Sequence, residues 1–367
     1  MRADPGRTVE HPPPPEPQDA RQGAASAPPV AGADPLRPVR RRETGRTLEV
    51  LAVSAPPLLI LAGPTGSGKS RLALEVAEKL DGEIVSADAF AVYRGLDIGT
   101  DKPPAAWRER VPHHLIDVAD PVERYSAGRF AREAPAAIEA IRRRGRLPIV
   151  AGGTHFYIRA LVFGLFPEPP RDAAVRERLE AAWRRDPPAL FARLSEIDPA
   201  SAERIGPHDR QRILRALEVF ETSGTTLSSH WEAHRRHPRY RPLLAVPDRA
   251  RRELYVRIDR RVETMFSSGF EAEVRGLLED GVPPTAHALK AIGYREIVAH
   301  LDGRWDLAEA EERTKTASRH LAKRQLTWLR HSTEGRVVWV PPPEAGGADT
   351  IAALWRHHVE EGTRGAS

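Results

Sequence analysis

Short apolar runs alternate with longer amphipathic stretches from Leu58 onward. Each run ends in glycine or polar residues, and stretches with helical spacing of apolar residues follow. Runs of this kind are typical of buried parallel strands, so the pattern predicts an α/β fold, a doubly wound parallel sheet flanked by helices. The runs are LLILAG (58–63), EIVSAD (83–88), HHLIDV (113–118), LPIVAGG (147–153) and PLLAV (242–246), with VVWV (337–340) as a candidate last strand.

A long stretch without strand patterns separates the fourth run from the fifth. Residues 167–238 are charged and helical in period, and they are too many for a simple crossover. We therefore predict a helical insertion domain in a core formed by residues 57–166 and 239–342. The ends are predicted to be a disordered extension rich in Pro and Arg, residues 1–56, and a C-terminal tail, residues 343–367.

The composition limits the chemistry that the chain can perform. The 367 residues include no cysteine, which excludes disulfides, thiolate nucleophiles, Cys-ligated zinc and iron–sulfur clusters. No window approaches the ~18–20 apolar residues of a membrane span, and no apolar secretory segment is found near the N-terminus, so we expect a cytoplasmic protein without a membrane partner. The formal net charge of +5 is compatible with a polyanionic partner.

A phosphate-binding motif follows the first predicted strand. The segment GPTGSGKS matches G-x-x-x-x-G-K-[ST] and opens the helical pattern KSRLALEVAEKL. Its glycines let backbone N–H groups converge on a phosphate, Lys69 adds a positive charge, and the Ser70 hydroxyl can ligate Mg²⁺. The predicted diphosphate or nucleotide site comprises Gly63, Pro64, Thr65, Gly66, Ser67, Gly68, Lys69 and Ser70.

Two further strand ends carry candidate chemistry. Asp88 ends the second run, and Gly152-Gly153-Thr154 ends the fourth, at the sheet edge where α/β proteins bind ligands. The Asp88 carboxylate can ligate Mg²⁺ or act as a general base, and its alternative role is a helix or turn cap. The two glycines allow close approach of a ligand, although a plain strand-to-helix turn has the same composition.

Basic residues recur on two helical patterns. One contains Gln211, Arg212, Ile213, Leu214 and Arg215. The other, SRHLAKRQLTWLR, has Arg319, Lys323 and Arg330 on one face. Such faces suit contacts with a phosphate backbone, and solvated faces with local ion pairs are the alternative. Trp328 suits either base stacking or a place in the core.

Together these residues resemble the tRNA dimethylallyltransferases, also called tRNA isopentenyltransferases, of the bacterial type. The resemblance covers about residues 58–340. It implies a P-loop NTPase-like core, and it implies transfer of a dimethylallyl group from dimethylallyl diphosphate to the exocyclic amine of the adenosine 3′ to a tRNA anticodon. The matching stretches are GPTGSGKS (63–70), SADAFAVYRGLDIGTDKP (86–103), VPHHLIDVADPVERYSAGRF (111–130), VAGGTHFYIRAL (150–161), DRQRILRALEVFETSG (209–224), SGFEAEVRGLL (268–278), ALKAIGYRE (288–296) and LAKRQLTWLR (321–330).

The resemblance also implies roles for individual residues. Residues 63–70 match the diphosphate site, and Asp88 matches the general base. Ser70 and Asp88 are the implied Mg²⁺ ligands, Arg257 lies near the diphosphate, and Lys69 and Thr154 act in the active site. The residues implied to contact the tRNA anticodon stem-loop are Asp88, Ala89, Phe90, Ala91, Thr154, Arg176, Gln211, Arg212, Ile213, Leu214, Arg215, Lys290, Gly293, Tyr294 and Arg295.

The chain departs from the family pattern at three positions. Ala89 and Ala91 replace the usual Ser and Gln after Asp88, and Asp101 replaces the Ala of GTAKP. Three alternatives stay open: a P-loop small-molecule kinase, an isopentenyltransferase acting on free adenine nucleotides, and a non-catalytic RNA-binding protein with a vestigial P-loop. One active site per chain requires no partner subunit, so we expect a monomer.

Overall fold

The computed structural model describes residues 55–165, 172–233 and 238–364. The disordered extension predicted for residues 1–56 lies outside this range except for residues 55 and 56. In the described residues, six parallel strands form one sheet in the order β3-β2-β4-β1-β5-β6. They are β1 (Pro57–Ala62), β2 (Gly82–Ser86), β3 (His113–His114), β4 (Leu147–Gly152), β5 (Arg241–Pro247) and β6 (Arg336–Val340).

The predicted parallel sheet is confirmed, and one strand is much shorter than expected. Of the run HHLIDV, only His113 and His114 pair with β2. Leu115 and Asp117 adopt positive φ values of 61° and 57°, which end the extended conformation. The Asp117 carboxylate then accepts hydrogen bonds from Lys102 Nζ at 2.5 Å and from Arg108 at 2.9 Å. The apolar pattern could not show that these ion pairs fix a loop.

Helices surround the sheet and connect its strands. Those of the core before the insertion are α1 (Lys69–Lys79), α2 (Ala105–Arg110), α3 (Ala127–Arg143) and α4 (His155–Phe163). Those of the insertion are α5 (Ala173–Arg185), α6 (Pro187–Ile197), α7 (Pro199–Arg204), α8 (Arg210–Ser223) and α9 (Leu227–Ala233). Those that follow are α10 (Arg251–Ser267), α11 (Phe270–Glu279), α12 (Tyr294–Leu301), α13 (Leu307–Arg330) and α14 (Gly347–Arg364), with 3₁₀ turns at Ala288–Lys290 and Pro343–Ala345.

Both faces of the sheet are buried, as the continuous apolar runs predict. Leu58 and Ile60 of β1 point into one hydrophobic cluster, with Phe130 of α3. Leu59 and Leu61 point into a second cluster on the opposite face. This alternation is the two-residue period of a strand, and it fixes the register of β1 between two helical layers.

The C-terminal segment is not a tail, contrary to the prediction for residues 343–367. Its helix α14 packs against α1 and the sheet. Ile351 is fully buried, Leu354 and Trp355 are nearly so, and all three belong to the second cluster. The apolar residues Ala348, Ile351, Leu354 and Trp355 recur at helical spacing, which was the available sequence signal.

Helices α5 to α9 enclose a hydrophobic cluster of their own. Leu179, Leu194 and Leu217 lie at its centre, and its buried residues come from this part of the chain. Asp residues cap the helices: the side chain of Asp198 accepts from the Ser201 amide at 3.0 Å and from the Ser228 amide at 3.0 Å. The predicted insertion boundaries at 167 and 238 lie in or beside residues that are not described. None of the helices described here is long and apolar enough to cross a membrane.

Candidate functional site

The strand order brings three loops together at the carboxyl edge of the sheet. The P-loop follows β1, the segment at Asp88 follows β2, and Gly153-Thr154 follows β4. Because β4 lies between β1 and β2, its loop separates the P-loop from Asp88 and contacts both sides. The predicted phosphate site and the predicted general base therefore share one edge, as ligand sites in open α/β sheets do.

The P-loop presents the start of α1 to the site. Gly68 has a φ of 89°, a conformation that a side chain disfavours, and it makes no side-chain cap for the helix. The first turn of α1 also contains no acidic residue. Its free N–H groups and the positive end of the helix dipole are therefore available to an anion, as the motif predicts.

Lys69 opens this helix in a desolvated position. Burial lowers the pKa of its ammonium group below the usual lysine value, the Asp88 carboxylate opposes that shift, and the Arg261 guanidinium adds to it. A desolvated ammonium beside an open helix N-terminus attracts phosphate strongly, because little water competes for its charge.

Three arginines on or before α10 hold the outer side of the P-loop. Arg249 Nε donates to the Ser67 carbonyl at 2.8 Å, and Arg257 Nε donates to the Gly66 carbonyl at 3.0 Å. Arg261 donates to the Thr65 hydroxyl. The structure thus places Arg257 against the P-loop, where the resemblance implies it. The role of Arg257 toward a diphosphate stays a prediction.

The segment after β2 folds around the Asp88 carboxylate. Oδ1 accepts from the Phe90 amide at 2.9 Å and from the Ala91 amide at 3.2 Å, which closes a tight turn. The turn-capping alternative is therefore correct for one carboxylate oxygen. In the described residues no donor contacts the other oxygen, Oδ2, so capping and a reactive role are compatible.

Thr154 and Gln325 join this segment to the P-loop. The Thr154 hydroxyl accepts from the Ala89 amide at 3.0 Å. The Gln325 amide group donates to the Gly153 carbonyl at 2.9 Å, and its oxygen accepts from the Thr65 amide at 2.9 Å. A Cβ on Gly153 would lie 2.4 Å from the Gln325 amide nitrogen, so any larger residue there would displace the Gln325 side chain. This bridge fixes the spacing between the two sides of the site.

The residues present fit a bound Mg²⁺ ion. Mg²⁺ prefers hard oxygen ligands and is usually held by one or two protein groups together with substrate phosphates. The Ser70 hydroxyl opens α1, and the Oδ2 atom of Asp88 is unengaged by the described residues. No cluster of three or more His, Asp or Glu side chains suited to a metal occurs in the described ranges.

The insertion places only some of its predicted tRNA contacts on the surface. Gln211 and Arg212 are exposed at the start of α8. Ile213 and Leu214 have no exposed surface and form part of the insertion core, so their predicted contact with tRNA is wrong for the side chains. An alternation of two polar and two apolar residues at helical spacing indicated this burial.

Arg176 and Arg215 are both paired with acidic residues of the insertion. Arg176 lies 2.9 Å from Glu180 and 3.6 Å from Glu218, and Arg215 lies 3.2 Å from the same Glu218. Glu218 is itself 2% exposed. Both guanidinium groups are thus held by acidic partners within the insertion, and a contact with RNA stays a prediction.

The segment from Lys290 to Arg295 divides in the same way. Lys290 and Arg295 are exposed. Gly293 is buried, and Tyr294 has no exposed surface. The Tyr294 hydroxyl donates to Glu273 Oε1 at 2.6 Å. These two residues thus present little surface in this structure, and their contact with tRNA stays a prediction. Ala91 is likewise only 5% exposed, and its contact with tRNA also stays a prediction.

The basic face of α13 borders the loop after β4. Lys323 and Arg330 are exposed, whereas Arg319 pairs with Asp259 at 2.5 Å. Trp328 is half-buried and packs on His155 with ring centroids 5.3 Å apart. An open groove at this place is lined by His155, His320, Lys323, Arg324, Thr327 and Trp328.

Sequence reasoning did not single out Gln325, Arg249 or Arg261. Arg261 follows Arg257 by four residues, so helical spacing could have placed both on the face toward the P-loop. Gln325 lies inside LAKRQLTWLR, and the sequence analysis considered only the basic face of this helix, on which Gln325 does not lie. Only the fold shows that its amide points inward.

The parallel sheet and its flanking helices define a P-loop NTPase-like α/β protein. A family model described as IPP transferase matches residues 91–332. The chain belongs to this family.

Relatives and solved structures agree with that assignment. The chain is 47% identical to tRNA dimethylallyltransferase 1 of Trichlorobacter lovleyi, over 79% of this chain and 95% of that protein. It is 49% identical to the tRNA dimethylallyltransferase of Anaeromyxobacter dehalogenans, over 78% of this chain and 95% of that one. The tRNA isopentenylpyrophosphate transferase of Bacillus halodurans superposes with a TM-score of 0.63 at 35% identity, covering 84% of this chain and 98% of its own.

A eukaryotic relative extends the comparison. A crystal structure of a eukaryotic dimethylallyltransferase acting on tRNA superposes with a TM-score of 0.70 at 30% identity. The match covers 82% of this chain and 77% of that one.

Proposed function

We propose that the chain is a tRNA dimethylallyltransferase that moves a dimethylallyl group from dimethylallyl diphosphate to the N6 amine of the adenosine 3′ to the anticodon. The observation that carries the proposal is a two-part bridge in a chain of this family: Gln325 joins the phosphate-binding loop to the loop after β4, and Thr154 of that loop accepts from the Ala89 amide beside the Asp88 carboxylate. A phosphate donor and a nucleophile activated by a base require these two sides at a fixed spacing.

The P-loop binds the diphosphate of the donor. Lys69 and the N–H groups at the start of α1 stabilise the negative charge that develops as the allylic C–O bond breaks and diphosphate leaves. Arg257, held against Gly66 through its Nε atom, has its terminal nitrogens free to contact the same diphosphate. Ser70 would hold a Mg²⁺ ion directly and Asp88 would hold it through a water molecule, and the ion would neutralise part of the diphosphate charge.

Asp88 receives the proton from the adenosine amine. The N6 nitrogen forms the new C–N bond to the allylic carbon, and the proton that it loses passes to the carboxylate oxygen left free by the turn. An adenine amine is a weak nucleophile, so an adjacent base assists the step. Thr154 orients the Asp88 turn through the Ala89 amide.

The tRNA contacts the site through exposed basic side chains. Arg212 on the insertion, Lys290 and Arg295 beside α12, and Lys323 on α13 carry positive charge that suits the phosphates of an anticodon stem-loop. The target adenosine leaves its stack to reach the sheet edge, because the N6 amine of a stacked adenosine cannot reach the partly buried Asp88 carboxylate. One chain contains both sides of the site, which supports action as a monomer.

Incubation with unmodified tRNA, Mg²⁺ and labelled dimethylallyl diphosphate tests the proposal. We expect prenylated adenosine in the anticodon loop by nucleoside mass spectrometry, and none with the Lys69→Met variant. Parallel incubation with ATP tests the kinase alternative through phosphorylated product, and free adenine nucleotides test the small-molecule acceptor. Binding of tRNA without any product would support the non-catalytic alternative.

A further inference from the structure

Asp101 occupies a place at the candidate diphosphate site that its sequence context did not suggest. It has a positive φ of 54°, and its carboxylate lies 2.9 Å from Arg261 Nε. The same Arg261 donates through its NH1 atom to the Thr65 hydroxyl of the P-loop. Arg261 is thus shared between the phosphate loop and a carboxylate from a different loop.

Electrostatics place this pair within range of Lys69. Burial has the dominant effect and lowers the pKa of the Lys69 ammonium; Arg261 lowers this pKa further, and Asp101 raises it. Each therefore acts on the potential that an incoming diphosphate experiences. A carboxylate at this place opposes binding of an anion in two ways: it repels the anion, and it occupies a guanidinium that matches phosphate.

We propose that Asp101 is a resident counter-anion that competes with diphosphate for Arg261 and thereby weakens binding of the donor and eases release of the diphosphate product. This inference rests on the proposed function, since it concerns the phosphate ligand of the same site. In the bound state Arg261 turns part of its guanidinium from Asp101 to the diphosphate, and the Asp101 carboxylate, with 62% of its side chain exposed, is solvated by water.

Substitution of Asp101 tests the competition with little risk to folding. An exposed ion pair contributes little to stability, and Asn adopts positive φ values more readily than most residues. Asp101→Asn therefore removes the charge while keeping the backbone and the side-chain shape. Asp97→Asn is the matched control: Asp97 is also 62% exposed in the same loop, but its carboxylate pairs with Lys102.

The experiment measures the dissociation constant of inorganic pyrophosphate with Mg²⁺ by calorimetry at fixed ionic strength, together with its inhibition constant against dimethylallyl diphosphate. We expect Asp101→Asn to bind pyrophosphate about 3- to 10-fold more tightly than wild type. Asp97→Asn should change the constant by less than about 2-fold. In an Arg261→Met background, Asp101→Asn should lose most of its effect, because the competed group is absent.

Two results would overturn the inference in distinguishable ways. In the first, wild type binds pyrophosphate and Lys69→Met does not, so the proposed site stands. If Asp101→Asn then binds pyrophosphate no more tightly than wild type, the counter-anion role is wrong. If wild type binds no pyrophosphate, the proposed function fails first and the inference fails with it.

Discussion

The burial of the Lys69 ammonium affects both its pKa and its interaction with a bound diphosphate. This ammonium is desolvated at the start of α1, with Asp88 as the favourable charge and Arg261 as the unfavourable one. The Lys69 ammonium therefore has a lower pKa than the ammonium of a surface lysine. Binding of a diphosphate adds negative charge beside Lys69 and raises the pKa of its ammonium, so donor binding and the protonation of Lys69 favour each other.

This coupling predicts a pH dependence of donor binding. The free-enzyme pKa of Lys69 lies below the ordinary lysine value of 10.5, so the charged form that binds diphosphate is present below that pKa and is lost as the pH rises through it. We expect the KM for dimethylallyl diphosphate to rise on the alkaline side, at a lower pH than a surface lysine would cause.

Steady-state kinetics between neutral pH and pH 10.5 measure this alkaline rise of the KM for dimethylallyl diphosphate. The Lys69→Met variant, which has no titrating amine, serves as the control and should show a high KM without the same rise. A wild-type KM that stays constant across the range would contradict the role of Lys69 in binding the donor.

Gln325 provides the second prediction at this scale. Gln325→Leu removes both hydrogen bonds of the bridge and leaves the buried Thr65 amide without its acceptor. Misplacement of reacting groups by about 1 Å costs ~100-fold in rate, so we expect kcat to fall about 10- to 100-fold. The KM for the donor should change less, because the diphosphate contacts remain.

Gln325→Glu and Thr327→Ala complete the test. The Glu variant keeps the acceptor for Thr65 and loses the donor to Gly153, so it should retain donor binding without recovering kcat. Thr327 is exposed on the same helix, and its Ala variant should leave thermal stability and kcat unchanged within 2-fold, or about 0.4 kcal/mol. A loss of kcat in Gln325→Leu that follows only from unfolding would argue against a positioning role.

The role of a residue can be predicted from the sequence when it depends on a local motif, and not when it depends on a contact with a distant part of the chain. The P-loop glycines, Lys69 and Asp88 are predicted because their chemistry requires particular residue types at a fixed spacing. Gln325 and Asp101 could not be predicted, because their partners lie far away in the sequence and only the fold brings them together. Ile213 and Tyr294 were assigned to tRNA contact because a motif marks a segment and does not distinguish its exposed side chains from its buried ones.

At the scale of secondary structure, apolar patterning predicted the parallel strands closely and missed the C-terminal helix. Strands β1, β2, β4 and β5 are buried on both faces, so their runs are nearly continuous in apolar residues. The run at 113–118 has the same composition, yet two residues with positive φ end the strand after His114. Helix α14 was overlooked because its apolar residues are spaced among charged ones.

The packing of α14 yields a stability prediction. Trp355 is 8% exposed in the cluster that covers one face of the sheet. Trp355→Ala should lower the free energy of unfolding by about 3–5 kcal/mol, because it removes a large buried side chain and leaves a cavity. Arg356→Ala, at an exposed position of the same helix, should change it by less than about 0.5 kcal/mol.

Urea unfolding followed by circular dichroism compares the two variants with wild type. A shift for Trp355→Ala no larger than that for Arg356→Ala would contradict the assignment of α14 to the core. Such a result would restore the sequence-based interpretation of residues 343–367 as a tail.

At the scale of the whole molecule, the site is built from segments that lie far apart in the chain. The P-loop, Asp88, Thr154, Arg257 and Gln325 come from five different loops or helices around the carboxyl edge of one sheet. The insertion adds a second, helical hydrophobic core with exposed polar and basic residues at the start of α8. This arrangement suits a reaction between a small phosphorylated donor and a large RNA acceptor.

The insertion is expected to affect the acceptor and not the donor. Arg212 has 70% of its side chain exposed, and its ion pair with Asp209 is long, at 3.4 Å. Arg212→Ala should weaken tRNA binding several-fold, flatten its salt dependence by about one phosphate contact and leave the affinity for pyrophosphate unchanged. Filter binding at several salt concentrations measures this, with Arg356→Ala as the control for a general loss of charge; equal effects of the two variants would argue against a tRNA contact at Arg212.

The most direct test of the account is a single-turnover measurement on Asp88→Asn, with tRNA and donor affinities determined separately. Asn keeps an oxygen to accept from the Phe90 and Ala91 amides, so the turn should persist while the base is lost. We predict near-normal binding of tRNA, with the rate of prenyl transfer reduced about 100-fold or more. Transfer at close to the wild-type rate would contradict the claim that Asp88 accepts the proton at the edge where donor and acceptor meet.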